Sequence, residues 1–296
     1  QLTILYANRD HLYMRALANK VGDYKPDYVV LVNEKQSGVT MVRNINGKYP
    51  ILFLLNGLDT NELGLLSERQ KSSLISSIIP NNYDAGKILA KRLVALARQK
   101  TDAPLDALAL LGDYATPAAL DRERGMRSVF VSGHLGLKLV DTPVANWSLE
   151  SGYTITKGIL QHTSKLDIIW CANDAIAFGA RRAVKELGRD VIIGGINWDR
   201  APPGLETHVS FGGHMTLGAY AMTLLHDIYK NEIGAANETR LLDIFVADTE
   251  PASQLIKTLI YEKRLSEINF KRFSVASNAP LAFSIENLAA AHKLNK

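Results

Sequence analysis

Leu166–Trp198 reads LDIIWCANDAIAFGARRAVKELGRDVIIGGINW. Leu166–Ala172 is a short apolar run, of strand length and too short for a helix. It stops at Asn173-Asp174, a polar pair suited to capping a helix. Ile176, Ala177, Ala180, Val184 and Leu187 then recur at three- and four-residue spacing, and Gly188 closes the helix. Val191–Asn197 is a second apolar run without polar alternation, as in a strand covered on both faces. Strand, helix and strand within about thirty residues form a βαβ unit, and such units build parallel sheets flanked by helices.

The same alternation extends in both directions. Leu2–Ala7 reads as a strand, and Met14, Leu17, Ala18 and Val21 as the apolar stripe of a helix. Asp27–Val32, Ile51–Leu55 and Ile75–Ile79 are further strands, with a helix over about Ser37–Asn46. Residues 57–73 fit a long surface connection or a short helix. Ala85, Ile88, Leu89, Leu93 and Leu96 mark a strong amphipathic helix, and Thr101–Pro104 breaks the pattern. Leu105–Leu111 is a strand. Thr116-Pro117 then starts a helix, with the Thr116 hydroxyl expected as its cap. A strand over Leu137–Asp141, a helix over 150–163 and a strand over Glu206–Phe211 follow. Gly212-Gly213 is a second break, ahead of a helix carrying Leu217, Ala221, Leu224, Leu225 and Ile228. Leu242–Ala247 is the last strand, and helical patterns recur around 252–263 and 283–293. The breaks predict one lobe from 1–103 with 213–248, a second from 104–212 with 249–275, and a tail at 276–296.

Composition narrows the function. The chain has 296 residues, 47% hydrophobic and 22% charged, a globular balance with room for about two domains. No stretch approaches the ~20 apolar residues of a membrane-spanning helix. Lys and Arg exceed Asp and Glu only by 34 to 30, with no block of like charge, which argues against nucleic acid as a partner. A single cysteine, Cys171, leaves no internal disulfide and no cysteine-based zinc site. A chain that opens on Gln1 is read as one whose leader has been removed, or as a fragment.

Signatures of catalysis are missing: no GxGxxG, GxxxxGK[ST] or GxSxG, and no histidines at metal-binding spacing. No catalytic residue, metal or cofactor is therefore expected. Ligands of open α/β sheets bind beyond the carboxyl ends of the strands. The residues there are Asn56, Asn173-Asp174 and Asn197-Trp198, with Trp147 in the loop after Leu137–Asp141 and Arg124 in the helix after Leu105–Leu111. Asn, Asp and Arg can each bond adjacent hydroxyls, and an indole face covers the C–H patch of a sugar ring. The set suits a neutral polyhydroxyl ligand better than a phosphorylated one, because it holds one cation. Each residue also has a plain structural use: the asparagines as turn formers or helix caps, Arg124 on a solvated face, the tryptophan as packing.

The run Leu166–Trp198 resembles the most recognisable segment of the type I periplasmic binding proteins, the ribose-binding and related sugar-binding proteins and quorum-signal receptors; lac-repressor-type regulators share their fold. KPDYVVLVN, YPILFLLN, IIPNNYDAGKILAKRL and RERG resemble other parts of the same pattern. The resemblance implies an α/β fold of two doubly wound parallel-sheet lobes joined by a three-strand hinge, which close on a ligand in the cleft. It implies a monomeric, exported, periplasmic receptor that presents a sugar, polyol or related signal to a membrane permease or sensor kinase. Carried over, Asn56 is a first-lobe contact, and Arg124, Trp147, Asn173, Asn197 and Trp198 are second-lobe contacts. Asp174 is assigned to the helix cap, Gly212 stands at the second hinge's polar position, and His214 lies close by. The family's first strand and helix have no counterpart before Leu2. Two other readings remain at this stage: the effector-binding domain of a lac-repressor-type regulator, and an α/β enzyme.

Overall fold

Each apolar run of the βαβ segment becomes a central strand because neighbours cover both of its faces. The computed structural model describes residues 1–8, 10–133 and 136–293, and these divide into two units. Unit 1 holds residues 1–80, 216–242 and 269–283; unit 2 holds 81–215, 243–268 and 284–296.

Unit 1 contains α1 (His11–Asn19), β1 (Val29–Leu31), α2 (Gly38–Ile45), β2 (Ile51–Leu54), α3 (Thr60–Gly64), α4 (Glu68–Lys71), β3 (Leu74–Pro80), α9 (Leu217–Tyr229) and β9 (Thr239–Leu242). Its four strands run parallel in the order β1-β2-β3-β9. Val29, Val42, Ile45, Ile51, Phe53 and Leu74 form its core. The open stretch 57–73 resolves into α3 and α4, each started by a capping box, Asp59 with Glu62 and Ser67 with Gln70. Leu2–Ala7 is not the expected strand. It makes no ladder with any described strand, and Leu2, Ile4 and Tyr6 are exposed; an apolar run without a partner has nothing to form a ladder with. Residues 269–275, expected in the second lobe, and 276–283, expected in the tail, belong to unit 1. Buried Asp227 of α9 accepts from Ser274 Oγ at 2.6 Å and from the Val275 amide at 3.1 Å, and Phe283 packs on Tyr220 and Phe273.

Unit 2 contains α5 (Asn82–Arg98), β4 (Leu105–Leu110), α6 (Pro117–Phe130), β5 (Leu137–Asp141), α7 (Leu149–His162), β6 (Ile168–Cys171), α8 (Asp174–Glu186), β7 (Ile192–Ile196), β8 (Val209–Gly212), β10 (Val246–Ala247), α10 (Pro251–Tyr261) and α11 (Ile285–Lys293). The strand order is β10-β8-β7-β6-β4-β5, parallel except for β10 against β8. The chain enters at β4, steps outward to β5, then returns to β6 on the other side. Its switch point therefore lies between β4 and β6, where the loops after two adjacent strands diverge and leave a crevice.

The division between units differs from the expected one at residue 103. Helix α5 belongs with unit 2, because Gly86 and Gly125 let α5 and α6 cross at backbone contact. A Cβ at Gly86 would stand 2.0 Å from the Arg122 carbonyl oxygen, and one at Gly125 1.9 Å from that of Tyr83. Beneath this crossing Trp170, fully buried in β6, donates its indole N–H to the Gly86 carbonyl at 3.1 Å. The later crossing, expected near 247–250, falls after Leu242.

Candidate functional site

The polar groups at the switch point gather around a residue the sequence reading passed over. Ala119, Arg122, Gly125, Met126 and Val129 share the buried face of α6. Arg122, 5% exposed, donates from Nε to Asn82 Oδ1 at 2.9 Å and from Nη1 to the Ala172 carbonyl at 2.7 Å. Its Nη2 makes no hydrogen bond among the described residues. Burial draws the guanidinium down to about 10, and the charges of Asp174 and Asp199 act against that fall. The guanidinium carbon lies 5.9 Å from the Trp147 ring centroid and 5.6 Å from that of Phe245.

Arg124 does not take part. Its side chain is 70% exposed and pairs with Asp121 on its own helix. Two helical residues apart is about 200° around the axis, so Arg122 and Arg124 face opposite ways. Of the two arginines in the RERG segment, the first is the buried one and the second is exposed.

Trp147 is half-buried, and its indole N–H donates to Asp113 Oδ2 at 2.7 Å. Asp113 follows β4 and also accepts from the Ala115 amide, the Thr116 amide and the Thr116 hydroxyl. Partial burial opposes ionisation there, but the bonds from Thr116, Trp147 and Ala115 outweigh it and hold the carboxyl below its ordinary range. Thr116 is thus not the expected side-chain cap of α6; its hydroxyl donates to Asp113 instead. Gly112 leaves the space the indole occupies, since a Cβ there would come within 2.4 Å of the ring.

Asn173 caps α8, accepting from the Ile176 amide at 2.9 Å and donating one amide hydrogen to the Trp147 carbonyl at 3.4 Å. Its second amide hydrogen has no partner among the described residues. Asn197 and Trp198 have φ of 146° and 65°, and Asn146 and Trp147 of 48° and 59°. Two Asn-Trp pairs at strand ends therefore adopt backbone conformations that non-glycine residues seldom take, a feature that concentrates at ligand sites. Asn197 donates to Asp199 at 3.3 Å. Trp198 offers no face to a ligand. It is 3% exposed, lies over Gly212 and donates its indole N–H to the Val246 carbonyl at 3.0 Å. Asn56 belongs to unit 1, after β2; it is buried and its Oδ1 has no partner among the described residues.

Asp174 anchors the turn after β7 rather than simply capping a helix. Fully buried, it accepts from Ser210 Oγ at 2.7 and 2.9 Å and from the Asp199 amide at 2.8 Å, while Ser210 Oγ accepts from the Trp198 amide at 3.1 Å. Burial, reinforced by the charges of Asp199 and Asp248, raises its carboxyl to about 7 against the hydrogen bond from Ser210. Its ordinary value is 3.8, so unfolding releases this proton between about pH 4 and 7, and native stability from this group falls as pH rises through that window. Asp174→Asn removes the effect. The difference in unfolding free energy, variant minus parent, is expected to grow with pH across that window by up to about 1.4 kcal/mol per unit. Denaturation curves at half-unit pH steps check this; a difference constant from pH 4 to 7 contradicts it.

Asp174 also borders a cavity of about 280 Å³ lined by Asp199, Arg200, Asp248, Lys257 and Tyr261. Those groups are occupied with one another: Lys257 pairs with Asp248 at 3.1 Å, Arg200 lies over the Tyr261 ring, and the Tyr261 hydroxyl donates to the Trp198 carbonyl. The Arg122 cluster, with donors left over, is the better candidate. Among the described residues no group of His, Cys, Asp and Glu side chains is placed to hold a metal ion, and no helix is long and apolar enough to cross a membrane.

A doubly wound unit with buried donors and an aromatic face at its switch point has the arrangement in which open α/β sheets take ligands. Residues 67–207 match the family model described as periplasmic binding protein domain. The chain is 31% identical over 124 residues to a D-apiose import binding protein of Actinobacillus succinogenes, covering 42% of this chain and 38% of that one. It is 29% identical over 127 residues to a ribose import binding protein of Haemophilus influenzae, covering 43% and 41%. The matched stretches thus span about four tenths of these curated relatives. A crystal structure of a periplasmic sugar-binding protein from Pseudomonas fluorescens superposes with a TM-score of 0.83 at 26% identity, over 97% of this chain and 89% of that one. Nearly half of the chain thus matches a periplasmic binding protein domain, and the fold is similar to that of a periplasmic sugar-binding protein.

Proposed function

We propose that the protein binds a small neutral sugar or related polyol in the periplasm and delivers it to a membrane importer, without transforming it. The observation that carries this reading is the charge balance of the Arg122 cluster. One buried cation is offset by Asp174 and Asp199, so the site offers donors without a net charge for an anion to match. Arg122 Nη2 and the spare Asn173 hydrogen can donate to neighbouring hydroxyls, and the Trp147 indole can cover a ring face. The relatives named for apiose and ribose import favour the same ligand class and an importer as partner.

A thermal-shift comparison of D-apiose, D-ribose, D-allose, D-fructose and myo-inositol with glucose 6-phosphate and glutamate tests this. A neutral sugar at a hundred times its dissociation constant is expected to stabilise the native state by about 2.7 kcal/mol. Stabilisation by the sugar phosphate or the amino acid alone would overturn the reading.

A further inference from the structure

His214 sits where the chain leaves unit 2, just after Gly213, in a single 3-10 turn. Its ring packs on Phe245, with centroids 5.2 Å apart and planes inclined by 36°. The Arg122 guanidinium lies 5.6 Å from the same Phe245 ring, so the imidazole and the guanidinium share one aromatic neighbour. His214 is 8% exposed, yet its buried Nδ1 has no hydrogen-bond partner among the described residues.

A buried polar atom left unpaired costs about 1–3 kcal/mol, and native structures leave few such groups without a reason. Packing against Phe245 needs only a ring, which phenylalanine would supply at no such cost. Burial first, and the Arg122 charge second, push the imidazole down to about 3. It is therefore neutral, with one donor and one acceptor nitrogen. A neutral imidazole beside a fixed cation complements a hydroxyl, which can give a hydrogen bond to one and take a hydrogen bond from the other.

We infer that His214 is a ligand-binding residue, its imidazole hydrogen-bonding a hydroxyl of the sugar held beside Arg122 and Trp147. This rests on the sugar-binding reading above and adds a contact to it. His214→Phe keeps the ring on Phe245 and deletes both nitrogens. With the sugar that stabilises the wild-type protein most among the five neutral compounds, calorimetric titration is expected to give at least tenfold weaker binding, while the unfolding midpoint without sugar stays the same or rises.

Nitrogen-15 NMR of the wild-type imidazoles is the companion measurement and does not depend on the variant folding: adding that sugar is expected to shift both His214 nitrogen resonances. Unchanged affinity in a folded His214→Phe, or unmoved His214 resonances at saturation, would overturn the assignment and leave the sugar reading intact. Failure of all five compounds to bind the wild type would overturn both.

Discussion

Arg122→Ala is expected to weaken sugar binding at least about thirtyfold, and Arg124→Ala to leave it within about twofold. Hydrogen bonds from a charged donor contribute about 1.5–3 kcal/mol each, and 2 kcal/mol corresponds to about thirtyfold. The alanine also strands Asn82 Oδ1 and the Ala172 carbonyl, both bonded by the guanidinium, and leaves Asp174 and Asp199 without their cation. Arg122→Lys is no rescue, because one ammonium cannot reproduce a planar fork that bonds Asn82 and Ala172 and still faces a ligand. Arg124 is exposed and pairs with Asp121, an arrangement that contributes little to stability. Calorimetric titration of the three variants checks the claim. Equal losses at 122 and 124, or none at 122, would show that the cluster is not the site.

The second large effect is on stability. Gly125→Ala places a methyl group 1.9 Å from the Tyr83 carbonyl oxygen, which is backbone and cannot swing away. Helices α5 and α6 must separate, at a cost of about 3 kcal/mol, the upper end of overpacking penalties. For a unit of this size that lowers the unfolding midpoint by roughly 6–12 °C. The Asn82–Arg122 hydrogen bond spans the same two helices, so the folded fraction is also expected to bind sugar more weakly. Gly158→Ala on α7, where a Cβ meets nothing within 4 Å, is the control and is expected to stabilise by a few tenths to about 1 kcal/mol. Midpoints from calorimetry decide; no drop for Gly125→Ala would mean that the two helices do not cross as closely as the structure has them.

Most of the architecture was legible because it depends on local patterns. The strand at Ile51 and the α8 stripe are readable from residue spacing alone. What escaped depends on partners distant in sequence. Leu2–Ala7 has a strand's composition, but a ladder requires a neighbour. Helix α5 was assigned to the wrong unit because its allegiance is set by two glycines, Gly86 and Gly125, on different helices. Residues 269–283 look irregular, and only the buried carboxylate of Asp227 explains their place.

Strand ends lead from the sequence to Asn173 and Trp147 of the candidate cluster, whereas the sequence reading takes Arg124, which is exposed, and the buried arginine is Arg122. The signal that separates them was present: Arg122 precedes Gly125, Met126 and Val129 by three, four and seven residues, which puts it on the inward stripe of α6. Asp113 escaped because an aspartate in the Gly-Asp-Tyr-Ala-Thr-Pro stretch reads as an ordinary turn residue, while its hold on the Trp147 indole is tertiary. Trp198 looked like a second sugar platform, and only Gly212 beneath it reveals that its faces are already covered.

The central claim is that a neutral sugar binds at the Arg122–Trp147 cluster, and the three tryptophans make it directly measurable. Trp170 and Trp198 are buried in the interior of unit 2, whereas Trp147 is only half-buried beside Arg122. Tryptophan emission titrated with the most stabilising of the five neutral compounds is expected to change saturably in the wild type and to lose most of that change in Trp147→Phe. A sugar that stabilises the protein yet gives the same emission change with and without Trp147 would contradict the claim.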